Sequence, residues 1–324
     1  MNLVQKAVAQ GGKLAPLAIP GTYGGMNPSV FIDPDGDILV NVRVVNYILF
    51  HSENVQIFPS RWGPLAYLHP EKDQRLVTEN YVVRLNSNLE IINCTKVKML
   101  ELHTPIWEFV GLEDARLVFW NDDYYLIGVR RDTTTHGEGR MEMSKVVLDK
   151  EAWTVQEVHR IRVKAPQPDN SYCEKNWVPV IDQPHRFVKW HYPVEVVDVQ
   201  LDQAMQTHLY FDGIKPAKDQ RGSSQVIPWG EHYISVTHEV DLFKNYLGQK
   251  DGIYHHRIAV YDKDLRLIGI SPEPFKFLDG RIEFCVGAAQ YGDDLLVSFG
   301  FQDNAAFVLQ VPGELVNEMV AECL

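Results

Sequence analysis

One phrase, written five times, constrains this chain more than any other feature. A polar or charged cluster leads into an apolar strand, a tight turn follows, and a second strand ends on charged or polar residues. The copies run from Asn27 to Arg43, Glu113 to Asp132, Glu174 to His191, Arg221 to His238 and Glu283 to Asp303. Such repetition marks arrays in which no single unit can bury its own apolar face. Leu117–Trp120 and Tyr124–Val129 flank Asn121-Asp122-Asp123, a hairpin turn, and Ile227–Val236 and Ala289–Ser298 repeat the pattern. Outer strands follow at Tyr81–Asn86, Met143–Asp149, Val194–Val199 and His256–Asp262.

Four strands per unit and five units predict an all-β fold, a five-bladed β-propeller with four-stranded blades in a single domain, 1–324. A β-sandwich would explain the alternation but not five similar hairpins. Helix signals are weak except over Gly313–Cys323, which predicts a short C-terminal helix. The first interval between copies is the longest. Its surplus, 51–78, is rich in Trp, Phe, Tyr, Pro and His and reads as a loop insertion over the active-site face.

The chain has 324 residues, 45% of them hydrophobic, enough for a large core. Its formal net charge of −12 argues against a nucleic-acid or anionic-membrane surface, which needs a basic field. No run approaches the ~18–20 apolar residues that span a bilayer, and the N-terminus lacks the apolar core of a signal peptide. Cys94, Cys173, Cys285 and Cys323 are widely spaced, without metal-ligand spacing, and read as reduced thiols. The expectation is a cytoplasmic protein without metal or cofactor. A homo-oligomer is compatible with the sequence.

In a propeller the innermost strands line a central channel, so equivalent strand ends converge on one funnel. Here they would bring together Asn27, Arg43, Glu113, Asp114, Arg116, Lys175, Glu283 and Asp303 with the cationic Arg130, Arg131, His191, Arg221 and His238. For any one residue, mutual satisfaction around a wet channel is the simpler reading. Taken together, concentrated positive charge inside an acidic protein points to an anionic ligand. Guanidinium forks suit phosphate oxygens, so Arg130, Arg131, Lys175, His191 and Arg221 form the expected cradle. The Asp33-Pro-Asp-Gly-Asp and Asp262-Lys-Asp runs are explained by turn chemistry rather than by metal binding.

The sharpest motif is Gly111-Leu-Glu-Asp-Ala-Arg116. It resembles the Gly-x-Glu-Asp-Pro-Arg motif of glycoside hydrolase family 130, the β-mannoside phosphorylases, and of the related mannosyltransferases of glycosyltransferase family 108. The resemblance implies that Asp114 is the proton donor, acting through a sugar hydroxyl beside Glu113, and that Arg43 contacts the reacting mannose. It places Lys175 at the lysine opening the third blade, His191-Tyr-Pro at a His-Arg-Pro phrase, and Asp303, ending Gly300-Phe-Gln-Asp, at a second sugar contact. Asn27 would touch mannose or acceptor. Ala115 departs from the family's Pro. Tyr192 departs from an Arg of its phosphate set, which bears on phosphorolysis and not on sugar binding.

The implied activity makes or phosphorolyses β-mannosidic bonds with inversion, using inorganic phosphate, mannose 1-phosphate or a sugar nucleotide as co-substrate. Its partner is a mannose-containing oligosaccharide or small molecule, with Trp62, Tyr67 and Trp107 as candidate stacking platforms. An inverting β-mannosidase, with Glu174 or Glu283 as base, and a non-catalytic glycan-binding propeller are the alternatives.

Overall fold

The computed structural model describes residues 2–22, 24–48, 66–67, 75–164, 173–201, 205–211, 213–244 and 250–324. Most of the insertion expected at 51–78, and the side chains of Trp62 and Tyr67, lie outside the described residues.

The chain is mostly β. Helix α1 (Leu3–Ala9), which no sequence signal had suggested, opens on a capping box: the Asn2 side chain accepts from the Gln5 N–H while the Gln5 side chain accepts from the Asn2 N–H. Strand β1 (Lys13–Pro16) follows. Antiparallel runs then succeed one another. The first is β2 (Gly25–Ile32), β3 (Ile38–Val45), β6 (Leu76–Leu85) and β7 (Ile91–Lys98), with β4 (Tyr47–Ile48) paired to β5 (Ala66–Tyr67) and β8 (Phe109–Val110) beside β6. The second is β9 (Leu112–Trp120), β10 (Asp123–Arg130), β11 (Arg140–Asp149) and β12 (Thr154–Arg162). Parallel pairing of β12 with β7 joins these two into one sheet.

The third run is β13 (Val178–Pro179), β14 (Arg186–His191), β15 (Val194–Gln200) and β16 (Met205–Phe211). In the next, β17 (Arg221–Gly222) and β18 (Ile227–Trp229) both pair with β19 (His232–Lys244), followed by β20 (Lys250–Tyr261) and β21 (Leu267–Ile270). The last comprises β22 (Glu283–Tyr291), β23 (Asp294–Phe301) and β24 (Ala305–Val311). Its fourth place is taken by β1 from the other end of the chain. Helix α2 (Gly313–Ala321) lies where the sequence predicts it.

Turn chemistry sets the registers. Asn121 and Asp122 both adopt left-handed φ, 51° and 65°, the two-residue turn whose twist suits a hairpin. The Asp33 carboxylate accepts from the N–H groups of Asp35 and Asp37, and that of Asp262 from Asp264 and Arg266, so both Asp-rich runs are Asx-type turns.

The apolar core is a series of clusters between neighbouring runs. Leu39, Val82, Leu117 and Leu126 join the first to the second; Trp120, Ile127, Trp177 and Phe187 the second to the third. Val178, Val196, Ala259 and Tyr261 join the third to the fourth, and Ile234, Val260, Val297 and Phe299 the fourth to the last, with both helices packed alongside. Val30, Val40, Leu296 and Val308 then tie the last run to the first. At the centre, Gln225 is fully buried. Its amide donates to Ser29 Oγ and to the carbonyls of Val30 and Leu117, and accepts from the Ala288 N–H, linking the innermost strands β2, β9 and β22.

Candidate active site

Asparagine and aspartate tolerate left-handed backbone better than most residues, and four of them use it at one place. Asn27 (φ 46°), Asp114 (48°), Asn176 (61°) and Asp303 (51°) all line a cavity of about 190 Å³. Two sit in β-bulges. Met26 faces Arg43 and Ser29 faces Asn41, so Asn27 and Pro28 together oppose Val42 alone. In β9, Glu113 faces Val129 and Arg116 faces Ile127, so Asp114 and Ala115 oppose Gly128 alone. Bulges re-aim side chains, and here they turn Asn27 and Asp114 toward each other. Pro28 occupies in the first bulge the place Ala115 holds in the second, so this geometry accepts either residue.

Asp114 Oδ1 accepts from Asn27 Nδ2 and from Arg43 NH1, each at 2.8 Å. Burial pushes its carboxyl up, but Arg43, the Asn27 hydrogen bond and Arg116 outweigh it, so Asp114 is held below the usual carboxylate range. Arg43 also donates from Nε to Thr78 Oγ1 and from NH2 to the Tyr47 hydroxyl, with Glu113 at 3.6 Å. Asp303 differs. It has no hydrogen bond or ion pair among the described residues, and burial, partly offset by Arg43 and reinforced by Asp114, pushes it up to about 6.

The same cavity also carries positive charge. Lys175 is exposed and has no hydrogen bond or ion pair among the described residues. Arg221 has, among the described residues, only Asp219 as an ion-pair partner, at 3.7 Å. His238 accompanies them as a neutral ring: burial, then His256, Arg221, Lys175 and Arg116, hold its pKa well below the usual value. Its Nδ1 meets Ser223 Oγ at 2.9 Å and it stacks on Tyr254.

Of the residues expected to gather, Asn27, Arg43, Glu113, Asp114, Lys175, Arg221, His238 and Asp303 share the cavity. Others do not reach it. Arg130 is buried against Glu142 (2.7 Å) and Asp132 (3.1 Å), and Asp132 in turn accepts from the Gly111 N–H, bracing the strand that leads to Asp114. Arg131 donates to the Gly137 carbonyl and to Cys173 Sγ behind Glu113. His191 is buried on Tyr261 away from the cavity lining, and burial lowers its pKa to about 4, so it does not bring a positive charge. Arg116 clamps the carbonyls of Asp114 and Ser223, supporting the bulge from beneath. Glu283 is fully buried and accepts the N–H groups of Phe277, Leu278 and Gly280. These are corrections. Charge at a strand end does not say which face the side chain takes.

The sequence reading also passed over Tyr47, Phe109, Tyr254 and Phe284 of the cavity wall. Two of these could have been inferred: Tyr47 follows Arg43 by four residues on the same strand path, and Tyr254 precedes the buried His256 by two. Trp107 packs against Gly137 instead of the cavity. Among the described residues no cluster of metal-ligating side chains occurs, and no helix is long and apolar enough to cross a membrane.

No protein-family model matches the chain, and no curated protein matches it. Solved structures share its fold. A β-1,2-mannobiose phosphorylase from Listeria innocua superposes with a TM-score of 0.56 at 13% identity, covering 95% of this chain and 94% of that one. A glycosyl hydrolase from Bacteroides ovatus gives 0.54 at 12% over 90% and 85%. A mannose phosphorylase from Leishmania mexicana, in complex with phosphate ion, gives 0.50 at 11% over 95% and 92%.

Proposed function

We propose that this chain is a single-domain, five-bladed β-propeller enzyme that transfers a mannosyl group, with inversion, between a phosphate-bearing donor and a sugar hydroxyl. The blade count is supported by the apolar clusters that join successive runs and return from the last to the first. One observation carries the functional reading. A single cavity holds a carboxylate bound by Arg43 and Asn27 together with two cations, Lys175 and Arg221, that no carboxylate among the described residues closely pairs. Sugar hydroxyls suit the first group and a phosphoryl group the second. The mannose-acting proteins that share the fold supply the sugar.

Asp114 is the acid–base residue of this scheme. In bond formation it takes the acceptor's proton, through a sugar hydroxyl, as the new bond to the anomeric carbon forms and phosphate leaves. In phosphorolysis the same path runs backward and returns the proton to the departing oxygen. An ionised resting carboxylate fits the first direction. Hydrolysis is less well supported, because neither base considered for it lines the cavity: Glu283 is committed to backbone N–H groups, and Glu174 to Trp177 and Lys189.

The test is incubation with mannose 1-phosphate, and separately GDP-mannose, against a panel of acceptor sugars. Phosphate or GDP release that depends on acceptor supports transfer. Free mannose from mannobiose without phosphate supports hydrolysis. Silence in all three leaves a glycan-binding propeller.

A further inference from the structure

Arg116 is a buried cation that forms no ion pair among the described residues. It is 1% exposed, and its Cζ lies 5.9 Å from the centre of the Phe284 ring. Its hydrogen bonds go to two carbonyl groups. Nε and NH2 donate to the Ser223 carbonyl at 3.1 and 2.8 Å, and NH1 donates to that of Asp114 at 2.9 Å. Asp114 belongs to β9 in the second run and Ser223 follows β17 in the fourth, so one guanidinium ties two runs that are not neighbours. Joining carbonyls does not require a charge: Gln225 links the innermost strands with a neutral amide. A buried guanidinium is costly unless its donors are well used, and what it offers beyond an amide is a rigid planar fork with donors on three nitrogens.

The Ser223 end of the fork leads to the cations. Arg221 and Gly222 directly precede Ser223 and pair with His238 and Thr237, and the Ser223 hydroxyl meets His238 Nδ1 at 2.9 Å. A Cβ at Gly222 would lie 2.1 Å from the Asn176 carbonyl oxygen, so the Lys175-Asn176 backbone rests directly on this segment. The other end of the fork holds the carbonyl of Asp114, which stands in left-handed backbone within its bulge (φ 48°). Asp114, Lys175 and Arg221 line one cavity, and Arg116 touches both the backbone of the first and the segment that carries the cations. Resting on the phosphate-bearing donor of the proposed function, we propose that Arg116 is a positioning residue that fixes the separation of Asp114 from the phosphate-binding pair Lys175 and Arg221. Misplacing reacting groups by about 1 Å costs on the order of 100-fold in rate, so this strut acts on turnover and on anion affinity together.

Phosphate affinity separates a strut from a support of the bulge alone. The probe is inorganic phosphate, with Kd measured by calorimetry on the full chain beside kcat for acceptor-dependent phosphate release. Arg116→Lys keeps the charge but reaches one carbonyl at a time. It should raise the phosphate Kd about tenfold and lower kcat roughly 100-fold, with circular dichroism unchanged. In an Arg221→Ala background the same substitution should add less than about threefold to the phosphate Kd, since the cation on the segment that the fork grips is gone. A wild-type phosphate Kd in Arg116→Lys, with kcat lowered, would make Arg116 a support for Asp114 alone and overturns the proposal. So does a full tenfold effect in the Arg221→Ala background. Should Arg116→Lys not fold, Arg116→Gln, with a neutral donor, takes its place; failure of both to fold makes Arg116 a determinant of the fold and also overturns the proposal. A wild type that neither binds phosphate nor releases it from mannose 1-phosphate would instead refute the phosphate-bearing donor, and the strut with it.

Discussion

Gly300→Ala should disable the site from behind. Gly300 lies on β23 and is not in left-handed backbone; its lack of a side chain matters only because of what faces it. A Cβ there would lie 2.2 Å from Asn27 Oδ1 and 2.7 Å from the Asn27 backbone nitrogen. Restoring van der Waals contact needs a displacement of about 1 Å, and the bulge around Asn27 can give it only by moving the side chain that holds Asp114. The 2.8 Å bond from Asn27 Nδ2 to Asp114 Oδ1 would then be lost. A hydrogen bond to a charged group contributes about 1.5–3 kcal/mol, so kcat should fall roughly 10- to 100-fold, with overpacking costing a further ~1–3 kcal/mol of stability. The acid limb of the pH profile should move upward, because Asp114 loses a bond that favours its ionised form. Acceptor-dependent phosphate release gives kcat and KM. Asn27→Ala should reproduce most of the loss, and the double variant should be no worse than the poorer single variant. Wild-type kcat in Gly300→Ala, in a protein that melts normally, would refute the reasoning.

If Lys175 binds the anion in ground and transition states alike, as proposed, Lys175→Ala should raise the KM for the phosphate-bearing substrate about tenfold or more while changing kcat less; substrate-saturation curves decide. Gln225→Leu should destabilise the fold by about 2–4 kcal/mol in urea, since it strands the Ala288 N–H and the Val30 and Leu117 carbonyls at the centre. His191, about 4 in the folded state against ~6.5 when unfolded, binds its proton first in the unfolded chain. Its contribution is therefore complete above about pH 6.5 and is lost as the pH falls toward 4, up to ~3 kcal/mol; urea midpoints at pH 7.5 and 4.5 should show the loss, and His191→Gln should reduce it.

The repeat made the hairpins legible because turn residues and alternation are local signals. Asn121-Asp122 and the Asx turns at Asp33 and Asp262 behave as their chemistry dictates. Strand β1 was not legible: nothing in Lys13–Pro16 says that its partner is β24, almost three hundred residues away. The repeat was enough to bring Asn27, Asp114 and Asp303, placed by bulges or strand ends, to one cavity. Arg130, His191 and Glu283 were misassigned for one reason. Their strand-end position is right, but in a strand one step of register turns a side chain to the other face, and their partners Glu142, Tyr261 and the Phe277–Gly280 backbone become visible only in three dimensions. The glycines at Gly128 and Gly300 read as ordinary strand residues, although each makes room for a bulge: a Cβ at Gly128 would lie 2.4 Å from the Glu113 carbonyl oxygen.

The central claim is that the cavity around Asp114 transfers sugar. Asp114→Asn keeps the size of the side chain and removes its acid–base capacity. Acceptor-dependent phosphate release from mannose 1-phosphate, or GDP release from GDP-mannose, should be present in the wild type and fall at least about 1,000-fold in Asp114→Asn, with the thermal midpoint near that of the wild type. Turnover by Asp114→Asn at the wild-type rate would contradict the account.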